Sequence, residues 1–329
     1  NLRSAERKWE ENQDIMSEKL RVGVVGVGHL GQNHLRLYHE IDDVVVTGIA
    51  DISGEVIQTY GERYDVFGTE NYRDLIGRVD AVSIVVPTVL HQQIAADFLD
   101  AGVQVLVEKP VTRTLEEAED LVSRARHHGV ILQVGHVERF NSAVLKVKKE
   151  INDPRYIECQ RLGPFPGRST DVGVVLDLMI HDIDIILDLV DSPVERITAI
   201  GIPVISRYED IANAHILFQN GCIANVTASR ITDDRVRKLR IFQREAYFSL
   251  DYADQEFKIQ RKNTDNEIVS ERPEVRKGEP LMLELKHFID CIREGKKPMV
   301  SGEQGRDALE IALQIVEQVK KEYGYLGKP

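Results

Sequence analysis

From Leu20 the chain reads Leu-Arg-Val-Gly-Val-Val, then Gly26-Val27-Gly28-His29-Leu30-Gly31, then a stretch with helical spacing. A β-branched run, a glycine-punctuated turn and a helix, in that order, leave few folds open. Gly26 permits the tight turn, Gly28 lets the backbone approach a pyrophosphate, and Gly31 lets the helix pack closely on the strand. The helix opening at His29 and Leu30 presents amide donors to phosphate charge. A second apolar run, Val44 to Ala50, ends in Asp51. That is about twenty residues beyond the last glycine, where a ribose-binding acid belongs. A carboxylate there accepts from both ribose hydroxyls and repels a 2′-phosphate, which favours NAD over NADP. The competing reading is a glycine turn that holds no ligand.

The segment from Leu20 to about Gln133 alternates strand and helix. Strands are predicted at 20–26, 44–50, 80–86, 103–107 and 130–134, and helices at 30–40, 54–63, 71–76, 91–101 and 115–128. Unbroken Val/Ile runs such as Ala81 to Val86 suit a parallel sheet covered on both faces. Thr114, with Glu117 three residues on, forms a capping box for the last of these helices. The expected architecture is α/β, a doubly wound parallel sheet of Rossmann type over residues 20–141. Ligands of such sheets sit at the carboxyl ends of the strands. Lys109, in Glu108-Lys109-Pro110 after the fourth strand, therefore faces the same crevice as the glycine turn. It serves equally well there as an ion-pair partner of Glu108 or as a hold on a substrate hydroxyl. Pro87, Thr88 and His91 follow the third strand, near the expected ribose and nicotinamide, although His91 can simply begin a helix.

Beyond Asn141 the pattern changes. A helix over 142–151 and a strand at 155–162 precede the loop Gly-Pro-Phe-Pro-Gly-Arg-Ser-Thr. Strands then recur from 195 to 261 with short turns, one of them Gln219-Asn220-Gly221. Short turns between successive strands predict a mostly antiparallel sheet. Helices at 280–294 and 303–322 close the chain. Residues 142–329 thus form a second, α+β domain whose open sheet face is an expected homodimer or homotetramer interface.

Within this second domain, residues 171–191 read as a helix apolar around most of its circumference. At 100° per residue Asp177, His181, Asp184 and Asp188 share one wedge, while Asp182 sits on the apolar side. Carboxylates and an imidazole buried in such a helix need partners or a polar cavity. Asp177 and His181, one turn apart, can move a proton in such a cavity. The plainer alternative is a thin polar edge touching water.

Composition narrows the possibilities further. The 329 residues suffice for two cores. A net charge of −12 argues against general nucleic-acid or anionic-membrane binding, but not against a local basic pocket. Cys159, Cys222 and Cys291 are too scattered for a metal or disulfide framework, which points to a reducing cytoplasm. Residues 1–19 are polar, without a secretory apolar run, and Met16 is a candidate start.

Three features together carry a resemblance: Gly26 to His34 as GxGxxGxxH, the strand ending Glu108-Lys109-Pro110, and Asp177-x-x-x-His181 in the second domain. The chain resembles the Gfo/Idh/MocA oxidoreductases from residue 20 to about 325. The resemblance implies an NAD or NADP site in the first domain and catalytic roles for Lys109, Asp177 and His181. Residues Gly135 to Asn141, the 171–191 helix and the stretch RKLRIFQREAYFSLDY are most similar to the family's UDP-N-acetylglucosamine 3-dehydrogenases. They imply oxidation of a sugar-nucleotide hydroxyl to a ketone, with an aminotransferase next in the pathway. Arg139, Asn141 and Arg168 are candidate substrate ligands, with a surface arginine or a loop-capping amide as the plainer alternative for each, and a basic cluster around the two arginines would favour a UDP-sugar. The alternatives are an inositol or free-sugar dehydrogenase, or an NAD-sensing regulator without turnover. The intact trio disfavours the regulator.

Overall fold

The computed structural model describes residues 19–165 and 172–323. The chain divides into two compact units. The first runs to Gly135 and adds Leu281–Gly305, and the second comprises His136–Pro280 and the chain from Arg306.

In the first unit, β1 (Leu20–Val25), β2 (Val44–Ala50), β3 (Phe67–Thr69), β4 (Ala81–Ile84), β5 (Gln104–Glu108) and β6 (Leu132–Gly135) form one sheet, in the order β3-β2-β1-β4-β5-β6. Every pairing is parallel. Crossovers carry α1 (His29–His39), α2 (Gly54–Tyr64), α3 (His91–Asp100) and α4 (Leu115–His128). As expected, β4 and β6 are buried along their whole length. Thr114 Oγ1 caps α4 by accepting from the Glu117 amide at 3.2 Å.

Three expectations change here. The sheet has a sixth strand, β3, three residues at an edge with no apolar run to announce it. The helix expected at 71–76 is a single 3₁₀ turn, Tyr72–Leu75. The single domain boundary expected at 141/142 becomes three crossings of the chain, at 135/136, 280/281 and 305/306, because α7 (Pro280–Glu294) and the segment after it return to β6. Gln133 bridges to Ser301, and a Cβ at Gly305 would lie 2.4 Å from Val134. An outer strand of apolar residues needs that cover, and this stretch supplies it.

The second unit holds an eight-stranded sheet. Its strands are β7 (Pro154–Leu162), β8 (Val194–Ile202), β9 (Ile211–Phe218), β10 (Ile223–Ser229), β11 (Val236–Gln243), β12 (Ala246–Asp251), β13 (Glu256–Lys262) and β14 (Ile268–Glu271), in the order β14-β13-β12-β11-β7-β10-β9-β8. Only β7 and β10 run parallel. The Gln219–Gly221 turn joins β9 to β10 as expected, with Gly221 at φ +82. One face packs against α5 (Ser142–Val147), α6 (Ile180–Leu189) and α8 (Gly302–Tyr323). Ile157, Val226 and Leu239 meet Ile183, Ile186, Ile315 and Val319 in one core. Each such side chain stabilises the fold by roughly 1.5–3 kcal/mol. The other face stays open: Ile200, Ile202, Ile223 and Phe242 are each about two-fifths exposed.

Candidate active site

The glycine turn is shaped for a ligand. Gly26 has φ +87, and a Cβ there would lie 2.3 Å from the Val85 carbonyl oxygen. At Gly31 a Cβ would lie 1.8 Å from the Gly26 oxygen, so α1 can start this close to β1 only without a side chain. Gly28 differs, because a Cβ there meets nothing within 4 Å. It is the N-cap of α1 with no side-chain cap, and Gly28, His29 and Leu30 are exposed. The first turn of α1 therefore offers its amide donors outward.

Asp51 follows β2 at the same edge of the sheet, and its carboxylate ties the turn together. Oδ2 accepts from the Val27 amide at 2.7 Å and Oδ1 from the Ser53 amide at 3.0 Å. Each oxygen has a second lone pair available for a ribose hydroxyl. An open Gly28, outward amides and an acid fixed beside them fit a dinucleotide.

Pro87 and Thr88 open a 3₁₀ turn after β4. His91 is buried at 1% exposure, with its two ring nitrogens 2.9 and 2.8 Å from the carbonyl oxygens of Pro110 and Val86. Burial lowers its pKa while the two carbonyl oxygens raise it, and the ring stands between two strand-end loops. Glu108 turns inward, where Oε1 lies 3.2 Å from His34 Nε2 and Oε2 accepts from the Lys109 amide at 3.3 Å. It anchors the end of β5 to α1. Lys109, half-buried, follows at the carboxyl end of β5.

In the second unit the predicted 171–191 helix is two pieces. Val175–Met179 is a π-turn, and α6 follows from Ile180. A π-turn advances less than 100° per residue, so the wedge drawn from α-helical periodicity breaks in two. Asp177 and His181 lie on either side of the junction, both half-buried, and the His181 ring stands edge-on to His136 with centroids 6.1 Å apart. Asp184 and Asp188 do not join them. They hold Arg139, whose Nη1 lies 3.3 Å from Asp184 Oδ1 and Nη2 2.8 Å from Asp188 Oδ1. Burial pushes the Asp184 carboxyl up to about 7, against the pull of Arg139. Asp182, on the apolar side, forks with Arg161 at 2.9 and 3.0 Å.

Arg139, expected as a substrate ligand, is held as a buried counter-ion of Asp184 and Asp188. Asn141 is likewise structural: its Nδ2 donates to the Tyr252 carbonyl at 2.9 Å and its Oδ1 caps α5 through the Ala143 amide at 3.1 Å. Arg168 lies outside the described residues. A cavity of about 350 Å³ in this unit is lined by Asp177 together with Arg161, Arg230, Arg235 and Arg237. Residue-by-residue reading missed Arg235 and Arg237. Their signal was two arginines at i and i+2 entering a strand, which places both on one face.

Comparison with known proteins agrees with this division. Residues 20–136 match the family model described as "Oxidoreductase family, NAD-binding Rossmann fold", and residues 145–249 match the GFO/IDH/MocA C-terminal domain. The chain is 33% identical over 302 residues to UDP-N-acetylglucosamine 3-dehydrogenase of Acidithiobacillus ferrooxidans, covering 90% of this chain and 96% of that protein. A solved structure of that enzyme superposes with a TM-score of 0.88 over 92% of this chain and 98% of the other. The scyllo-inositol 2-dehydrogenase (NAD(+)) of Bacillus subtilis is 28% identical, covering 91% of this chain and 93% of the relative.

Proposed function

This chain belongs to the Gfo/Idh/MocA family of NAD-binding oxidoreductases, and we propose that it oxidises a secondary hydroxyl of a sugar nucleotide, C3 of UDP-N-acetylglucosamine, to the ketone. The observation that carries this reading is the 33% identity to the UDP-N-acetylglucosamine enzyme along nine-tenths of the chain, with Lys109, Asp177 and His181 all present. Bound NAD supplies the hydride acceptor. The Gly28 turn and the α1 amides hold the pyrophosphate. Asp51 accepts from the ribose hydroxyls and repels a 2′-phosphate, which sets NAD ahead of NADP.

His181 takes the proton of the reacting hydroxyl as general base. Asp177 stabilises the imidazolium that results. The Lys109 ammonium stabilises the developing alkoxide and so lowers the alcohol's pKa. Each group contributes about 2–4 kcal/mol, by analogy with general bases and oxyanion donors. The open face of the eight-stranded sheet is the interface of a homodimer or homotetramer, and three buried free cysteines suit a reducing cytoplasm.

The test is NADH formation with UDP-N-acetylglucosamine, its uronate, glucose and myo-inositol in parallel. Turnover of the first alone is expected. Faster turnover of myo-inositol would transfer the assignment to the inositol dehydrogenases, the reading favoured by the 28% identical relative.

A further inference from the structure

The cation wall of the second unit has more positive charge than structure alone requires. Arg161 on β7 stands directly opposite Arg237 on β11 in an antiparallel pair, an arrangement that costs stability for like charges. Glu138 is shared between them, its Oε1 lying 2.9 Å from Arg161 Nη1 and 3.3 Å from Arg237 Nη1. Arg161 also has both oxygens of Asp182, so among the described residues Arg237 is left with half a carboxylate. Its side chain is 47% exposed. Burial, and then the neighbouring Arg161 and Arg235, pull its pKa down.

Arg235 is two residues earlier, exposed, and pairs with no carboxylate among the described residues. Behind them Arg230, 1% exposed, is fixed by Asp210 Oδ1, Ser206 Oγ and the Val172 carbonyl at 2.8–2.9 Å. The fork is therefore built on a rigid floor. The cavity these groups line, about 350 Å³, falls within the range of small-molecule sites. Asp177 opens into it too, which ties the arginines to a proton-handling residue.

Planar guanidiniums on one strand face match phosphate oxygens in geometry and charge. We infer that Arg235 and Arg237 bind the diphosphate of the substrate in this cavity and so select a phosphorylated sugar over a neutral one. The inference rests on the sugar-nucleotide reading above, and it names the residues that make the choice.

The experiment titrates UDP and inorganic pyrophosphate calorimetrically into the NAD-loaded protein, its Arg235→Ala variant and the Arg235→Ala/Arg237→Ala variant. Turnover of UDP-N-acetylglucosamine and of N-acetylglucosamine is measured alongside. UDP affinity should fall about tenfold in the single variant and about a hundredfold in the double. The wild-type preference for the sugar nucleotide should narrow by the same factors, and added salt should weaken wild-type binding more than variant binding. Arg235 is exposed and pairs with no carboxylate among the described residues, so the unfolding temperature of the single variant should match the wild type and exclude misfolding. UDP binding as tightly to both variants as to the wild type overturns the inference, as does a wild type that binds neither UDP nor pyrophosphate. If UDP binding depends on both arginines while no sugar nucleotide turns over, the cavity assignment stands and the substrate reading falls.

Discussion

Arg139 and Arg235 occupy opposite extremes for one residue type. Arg139 is 2% exposed between two aspartates, and its loss leaves buried carboxylates with too little positive charge. Arg139→Ala should cost about 3 kcal/mol in urea unfolding. A loss of turnover at unchanged stability would instead return Arg139 to the substrate ligands. Lys109→Ala and His181→Ala should each lose roughly a hundredfold or more in kcat, with NAD binding, followed by fluorescence, retained. Near-normal turnover in either would refute the role proposed for that residue. The sequence singled out Lys109, Asp177 and His181 as candidates because each sits in a motif. It could not separate Arg139 from Arg235, since burial and partners are decided by chain segments far away in sequence.

At the scale of elements, Asp210 organises the loop between β8 and β9. Its Oδ2 accepts from the amides of Val204, Ile205 and Ser206 at 2.8, 2.6 and 2.8 Å, and its Oδ1 takes Arg230 at 2.8 Å. Burial pushes the carboxyl up, but these amides and the guanidinium outweigh burial and hold it well below the ordinary range. A depressed carboxyl pKa stabilises the fold fully above the unfolded value of about 4, and the contribution is lost as pH falls below it. Asp210→Asn should therefore melt well below the wild type at pH near 7, with the gap closing on acidification toward pH near 2. A gap independent of pH would show that the ionised form is not what matters. Long periodic elements were readable from sequence here, but β3 and β14 were not. With three and four residues at sheet edges, they have too few side chains to form a pattern. The Asp177–Asp188 wedge failed for another reason: one π-turn shifts the phase of everything after it.

Across the whole molecule, the unpaired face of the eight-stranded sheet bears on assembly. Phe242 meets Tyr156 and Tyr247 on its cross-strand neighbours, with ring centroids 5.6 and 4.7 Å apart, and is 38% exposed. An aromatic patch of this kind is costly to leave in water. Phe242→Lys should shift the protein toward monomer in sedimentation velocity, with the fold retained by circular dichroism. A wild-type monomer would remove this face from the assembly. The division of the chain shows the reach of local pattern. The glycine turn, Asp51 and the run of β-branched strands determine a parallel dinucleotide-binding sheet, because turn geometry and side-chain alternation act over a few residues. Only the tertiary structure decided that 281–305 returns to complete that unit, which aspartate holds which arginine, and which cations are left facing a cavity. Those outcomes depend on desolvation and on charges brought together from distant positions, and neither quantity has a local signature.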